Sequence, residues 1–321
     1  MLHFNVYFFN DHQHQPPCPR RYASNVTPFD QTVSGPEPAQ PPLPPNAMAY
    51  ERTVLDWATH LPDSVIAVRD LTYGADPRQR FDVFTTAGLR DAPVLVFWHG
   101  GGWTNGYKAY VAFLAPIVTG MGLVLVTPTY RLAPAHRLPA AFDDAALLLA
   151  TVLRTIASHG GAPSRIYLSG HSAGGGIAAM AAMRRPALAT AGVDHQAIRG
   201  CLPISGIMNL QHPCPAHGSL EARVYTDLID TPEHDAAMSP QTWAAGNTVP
   251  MVLSYGEHDS ERVIRSNRSL YQMLKLQPAA VSCHMLAGED HFRTHTALSD
   301  PAHPWYGRLA QLVRETSRCP I

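Results

Sequence analysis

Gly170-His171-Ser172-Ala173-Gly174 is the stretch of this 321-residue chain whose residue types and spacing could do chemistry. A serine hydroxyl becomes a competent nucleophile when a base lies in hydrogen-bond reach and a third group orients that base. The five residues follow Arg165–Ser169, which reads as a short buried strand, and precede Gly175–Ala182, which reads as a helix of small apolar residues. Strand, G-x-S-x-G and helix together are the context of a nucleophile elbow. The flanking glycines leave room for a sharp turn that lifts the Ser172 hydroxyl off the sheet edge. The helix N-terminus beneath it favours negative charge.

The partners should follow the serine in the order acid, then histidine. Met251–Tyr255 reads as a strand, and Gly256-Glu257-His258-Asp259 leaves its C-terminal end. Val281–Leu286 is a second strand, followed by Ala287-Gly288-Glu289-Asp290-His291-Phe292. Asp259 is the expected acid and His291 the expected base, one helix and one strand apart. Glu257 is the alternative acid. Asp290 adjoins His291, and neighbouring side chains diverge. His258 precedes the last strand, the wrong order for a base, and His284 sits inside that strand.

A tetrahedral oxyanion needs preorganised N–H donors. His99-Gly100-Gly101-Gly102-Trp103 directly follows the apolar run Val94–Trp98, and its glycines let backbone amides turn inward. The expected donors are the amides of Gly101, Gly102 and Ala173. A phosphate cradle would carry G-K-[ST], which is absent. Trp103 and Tyr107 are expected to line the substrate pocket, with Phe292, Tyr225 and Trp243 as weaker candidates.

These residues must be positioned by a scaffold. Val65–Tyr73 and Arg80–Thr85 read as an antiparallel hairpin around Gly74-Ala75-Asp76-Pro77. Beyond it, strands at Val94–Trp98, Leu123–Thr127, Arg165–Ser169, Ile198–Ile204, Met251–Tyr255 and Val281–Leu286 alternate with helices. The helices are expected around Tyr110–Val118, Pro139–Ser158, Glu261–Leu276 and Tyr306–Ser317. Continuous apolar strands alternating with helices predict an α/β architecture, a mostly parallel sheet of about eight strands covered on both faces. Residues 205–247 break the rhythm and are too long for a plain loop. They read as an insertion that caps the sheet edge. Residues 1–60 read as a Pro-rich arm, with weak helical periodicity from Ala49 to His60, that contributes to the cap. Residues 61–321 read as the catalytic domain.

Composition narrows the function. The chain is 45% hydrophobic and 15% charged with a net charge of −1, so no basic field points to nucleic acid. No apolar run approaches the roughly 18–20 residues of a membrane span. The apolar start Met1–Phe9 lacks the cationic region and cleavage site of a signal peptide. Five scattered cysteines without C-x-x-C argue against a disulfide framework or zinc ribbon. A reduced, cytoplasmic protein is expected. Seventeen histidines show no metal-site spacing, so no metal is expected.

Five segments carry a resemblance. His99-Gly-Gly-Gly-Trp103, Tyr130-Arg-Leu-Ala-Pro134, Leu138–Asp144, Gly170-His-Ser-Ala-Gly-Gly175 and Tyr255-Gly-Glu-His-Asp259 resemble α/β-hydrolases of the hormone-sensitive lipase-like esterase family. The resemblance spans about residues 65–317. It implies a serine carboxylic-ester hydrolase with a cap and no cofactor. His171 departs from that family's usual Asp. Tyr73–Asp82 and the glycine loop ending in Trp resemble the kynurenine formamidase (arylformamidase) branch. The leading expectation is therefore hydrolysis of short-chain acyl or small aromatic esters through an acyl-enzyme. The runner-up is hydrolysis of an N-formyl anilide by the same residues. A non-catalytic receptor on this fold would be expected to lack the nucleophile or the base. The expected partner is a small-molecule ester or amide; a homodimer is left open.

Overall fold

The structure, a computed structural model, describes residues 40–317. Most of the Pro-rich arm expected over residues 1 to about 46 lies outside the described residues. A helix α1 (Pro45–Ala58) starts where the proline run ends. Proline suits a first helical turn because its missing N–H has no acceptor there.

Eight strands form one sheet: β1 (Ile66–Thr72), β2 (Arg80–Thr85), β3 (Ala92–Trp98), β4 (Val124–Pro128), β5 (Gly161–His171), β6 (Ile198–Ile204), β7 (Met251–His258) and β8 (Val281–Asp290). Their order across the sheet is β1-β2-β4-β3-β5-β6-β7-β8. β1 and β2 pair antiparallel, as do β2 and β4; every pairing from β4 through β8 is parallel. The helices are α2 (Ala115–Gly120), α3 (Ala140–Thr155), α4 (Ala173–Met183), α5 (Arg185–Thr190), α6 (Leu220–Arg223), α7 (Glu261–Leu274), α8 (Arg293–Thr296) and α9 (Pro304–Ser317). The helix expected near Tyr110 is a 3-10 turn over Lys108–Leu114 that runs into α2.

All seven residues of β3 and all eleven of α4 are buried. β3 needs no polar face because apolar clusters fill both sides of the sheet. One cluster holds Val94, Val96 and α3 and α4; the other holds Leu95, Phe97, α1 and α9. α4 is built from Ala, Gly, Ile and Met because it lies hard on the sheet. A Cβ on Gly174 would come within 2.1 Å of the Trp98 carbonyl oxygen.

The Tyr73–Asp82 stretch serves this scaffold. Tyr73 Oη donates to the Thr129 carbonyl, and Gln79 Nε2 donates to Asp144, which also receives Arg131. Asp82 is fully buried and accepts from Lys108 Nζ at 2.8 Å. Residues 205–247 contain α6 and short irregular turns. Arg137 holds them by donating to the Ile229 and Thr226 carbonyls, and the Leu138 amide donates to Leu228.

Candidate active site

Parallel pairing sends the C-terminal ends of β3, β5, β6, β7 and β8 to one edge of the sheet, the usual place for a site in such folds. Ser172 occupies the turn between β5 and α4 with φ +57° and ψ −120°. That is strained backbone for a residue with a Cβ. The turn is fixed by the Ser172 amide, which donates to Ile204 O, and by Ser172 O, which accepts from the Gly176 amide.

The last pairing of β7 with β8 sets His258 against Asp290. The next residue of each strand is therefore Asp259 and His291, side by side. His291 Nδ1 lies 2.7 Å from Asp259 Oδ1, and His291 Nε2 lies 2.9 Å from Ser172 Oγ. A carboxylate can only accept, so Nδ1 carries the imidazole proton. Nε2 is then the acceptor, and the Ser172 hydroxyl donates to it. Asp259 also receives the Gly256 and Ser260 amides at 3.3 and 3.1 Å. Burial pushes its carboxyl up. The hydrogen bond and charge of His291, with Ser205 and the Gly256 amide, outweigh burial and hold it below the ordinary carboxylate range.

The other candidates are placed elsewhere. Glu257 is exposed and receives the Gly288 amide at 2.8 Å. Asp290 accepts the Phe292 and Arg293 amides, closing the turn before α8. His258 is exposed, and His284 meets Ser282.

Behind His291 stands an aromatic cluster absent from the sequence reading. His171 Nε2 donates to the His291 carbonyl at 2.7 Å, and its ring stacks on His295 at 5.0 Å between centroids. Burial, followed by the charges of His291 and His295, drives His171 well below the ordinary histidine value. The position is therefore a neutral brace on the base's backbone. His295 Nδ1 meets Tyr50 Oη at 2.8 Å, and Tyr50 lies against Phe292.

A cavity of about 340 Å³ opens on Ser172 and His291. Gly100, Gly101 and Gly102 line it. Gly101 has φ +120°, and a Cβ there would meet Asn105 O at 2.0 Å, so the loop tolerates no side chain. Its carbonyl accepts the Thr104 and Asn105 amides. Ala173 opens α4, where a helix leaves its N–H without an intrahelical acceptor.

Phe292 lines the cavity; Trp103 and Tyr107 do not. Trp103 has φ +60° and is 2% exposed. The chain reverses there, and the indole goes into the core edge-on to Phe142, 6.4 Å between centroids. Tyr107 packs against Tyr110, which faces the cavity in its stead. Tyr225 and Trp243 are also outside the lining: Tyr225 binds Asp235, and Trp243 receives the Arg184 guanidinium over its ring. The sequence reading missed Tyr50, Arg223 and Arg262, which do line it. Only the weak periodicity after Ala49 pointed toward Tyr50.

Pro42, Leu43, Pro44, Asn46 and Ala47 form a further part of the wall. Gln40 clamps Gly106 from both sides, donating to its carbonyl and accepting from its amide, and Asn105 donates to the Pro41 carbonyl. No helix among the described residues is long and apolar enough to cross a membrane.

The sequence and the fold are similar to those of known proteins. The chain is 27% identical over 260 residues to a probable isoprenylcysteine alpha-carbonyl methylesterase of Oryza sativa, covering 77% of this chain and 62% of that protein. It thus spans less than two thirds of that relative's length. It is 31% identical over 240 residues to carboxylesterase NlhH of Mycobacterium tuberculosis, covering 70% of this chain and 73% of that one. The fold matches an esterase structure from Pyrobaculum calidifontis with a TM-score of 0.68 at 20% identity, over 84% of this chain and 91% of the other. A family model for the alpha/beta hydrolase fold matches residues 95–294. With its elbow serine in the turn after β5 and the ends of β7 and β8 meeting beside it, the chain belongs to the alpha/beta hydrolase family.

Proposed function

We propose that this chain is a serine carboxylic-ester hydrolase for short-chain acyl or small aromatic esters. The observation that carries the reading is the continuous line from Ser172 Oγ through His291 to Asp259, ending in the cavity. Ser172 Oγ attacks the ester carbonyl carbon as its proton passes to His291 Nε2. Asp259 keeps the tautomer and stabilises the imidazolium. The amides of Gly101, Gly102 and Ala173 receive the oxyanion. His291 returns the proton to the departing alkoxide, leaving Ser172 acylated. Water, deprotonated by His291, then releases the acid.

The substrate range follows from the cavity. About 340 Å³ suits a small ligand and leaves little room for a long acyl chain. Residues 205–247 and 40–47 act together as the cap, excluding water from the site. The relatives' names, a methylesterase and a carboxylesterase, support the ester reading. Of the two stretches that resemble arylformamidases, Tyr73–Asp82 braces the sheet and does not line the cavity, while the glycine loop lines it.

The test is hydrolysis of p-nitrophenyl acetate and butyrate, with N-formylkynurenine as competitor chemistry. The short esters should show the higher kcat/KM. Ser172→Ala should lose roughly 10⁴–10⁶-fold in kcat while remaining folded. A variant retaining a tenth of the activity rejects Ser172 as nucleophile. N-formylkynurenine matching the best ester rejects the ester preference.

A further inference from the structure

Among the described residues two guanidinium groups line the cavity, Arg223 and Arg262, and no carboxylate does. Their counter-ions stand outside the lining. Arg223 Nε donates to Asp227 at 2.9 Å and its Nη2 to Thr104 Oγ1 at 3.3 Å. Arg262 is less well served. Its Nε lies 3.6 Å from Glu221 Oε1, too long for a hydrogen bond, and this buried nitrogen has no hydrogen-bond partner among the described residues.

Arg262 is held at a cost in stability. Its side chain is 20% exposed, so most of the charge has left water. It occupies the first turn of α7, where the helix dipole disfavours a cation. Burial lowers its pKa from the ordinary guanidinium value, opposed by Glu221 and Asp259. A largely buried guanidinium whose Nε is unpaired and whose side chain lines a cavity is complementary to an anion that arrives with a ligand. The rest of the wall mixes apolar and aromatic groups, Tyr50, Leu220 and Phe292 among them, with the uncharged polar side chains Asn46, Thr104, Asn105 and Ser260 beside the catalytic residues. The hydrolytic machinery itself asks for no negative charge on the substrate's reacting carbonyl.

We propose that the cavity takes esters bearing a second, free carboxylate, and that Arg262, seconded by Arg223, is its receptor. The proposal rests on the ester-hydrolase reading for its catalytic half only. A planar guanidinium binds a planar carboxylate through two parallel hydrogen bonds, which a lysine does not reproduce. The competing role for Arg262 is a brace between α7 and α6 through Glu221. The two roles differ in what Glu221 does. A brace loses the same thing when either partner is removed. A receptor gains when its internal competitor is removed.

The experiment uses the full chain and two matched substrate pairs. One pair is 4-acetoxybenzoate and 4-acetoxybenzamide, with the charge on the leaving group. The other is the 4-nitrophenyl half-ester of adipic acid and 4-nitrophenyl hexanoate, with the charge on the acyl group. In at least one pair the anionic member should have the higher kcat/KM, through a lower KM, and the preference should shrink as salt rises. Arg262→Gln should cut the anionic-to-neutral ratio by about ten- to a hundredfold, with Arg262→Lys restoring part of it. Glu221→Gln should raise the ratio. Calorimetry reads the receptor without turnover: benzoate should bind the wild type and lose affinity in Arg262→Gln, while benzamide should discriminate little between them. Equal or inverted preference in both pairs overturns the proposal, as does a ratio unmoved by Arg262→Gln or lowered by Glu221→Gln. Absence of turnover with all four esters rejects the ester-hydrolase reading instead, and benzoate binding then decides the receptor alone.

Discussion

Asp259 and Glu257 are two residues apart and chemically alike, yet only Asp259 meets the His291 ring. Glu257 spends its carboxylate on the Gly288 amide. Asp259→Asn should therefore cost on the order of 10⁴-fold in kcat, because an amide at this position favours the wrong imidazole tautomer. Glu257→Gln should cost less than tenfold. Steady-state kinetics on one short ester with both variants checks the ranking, and the reverse order rejects Asp259 as the orienting acid. At this scale the sequence was informative about the residues that converge. Ser172, Asp259 and His291 follow from a turn motif and chain order, since each stands just beyond a strand end. It was poor on the pocket. Trp103 adjoins the glycine loop in sequence, but a left-handed backbone sends its ring into the core. Arg262 looked like an ordinary helix residue because nothing local marks a side chain as facing a cavity made by other segments.

The elements show the same division. Long apolar strands and the amphipathic α3 were legible because their periodicity records which face is covered. Strand ends were less so. β7 and β8 run on to His258 and Asp290 because they pair with each other there, and pairing is invisible in either segment alone. The glycine loop gives a test at this scale. Gly101→Ala would drive a Cβ into Asn105 O at a φ of +120°. It should lower kcat by about 10²–10³-fold through a displaced oxyanion donor, and it should also lower Tm. Gly122→Ala is the control, with φ +81° and open space around it. It should lose about 1–2 kcal/mol of stability to backbone strain alone and keep its kcat. Equal kinetics in the two variants would remove the loop from the catalytic account.

For the whole molecule, the buried histidines set the response to acid. His99 and His295 are both lowered to about 3 by burial, and His171 is driven well below its ordinary value. In the unfolded chain each takes a proton as pH falls through about 6.5. In the folded chain His99 and His295 refuse that proton until about pH 3, and His171 refuses it until well below its ordinary value. Protons thus favour unfolding across this window, and stability falls as pH falls. Each histidine contributes a slope of up to about 1.4 kcal/mol per pH unit. Asp259, lowered in the folded state, adds a loss of the same sign in the carboxylate range. Denaturation between pH 7 and 4 should show a steep decline below pH 6.5, and His171→Asn should flatten it by about one proton. An unchanged slope in that variant would mean that His171 is charged in the folded protein.

The clamp of Gln40 on Gly106 makes the substrate wall a graft. Residues 42–47 face the cavity, yet they precede the stretch 95–294 that carries the hydrolase signature. A recombinant boundary drawn at the signature would keep the hydrolytic residues and discard one side of the chamber. An exchange of this stretch between relatives would move the chamber's selectivity and leave the bond-breaking chemistry in place. The chamber is thus shared between two parts of the chain: Pro42, Leu43, Pro44, Asn46 and Ala47 supply one wall from outside the signature, and Arg223, Arg262 and Phe292 supply another from within it.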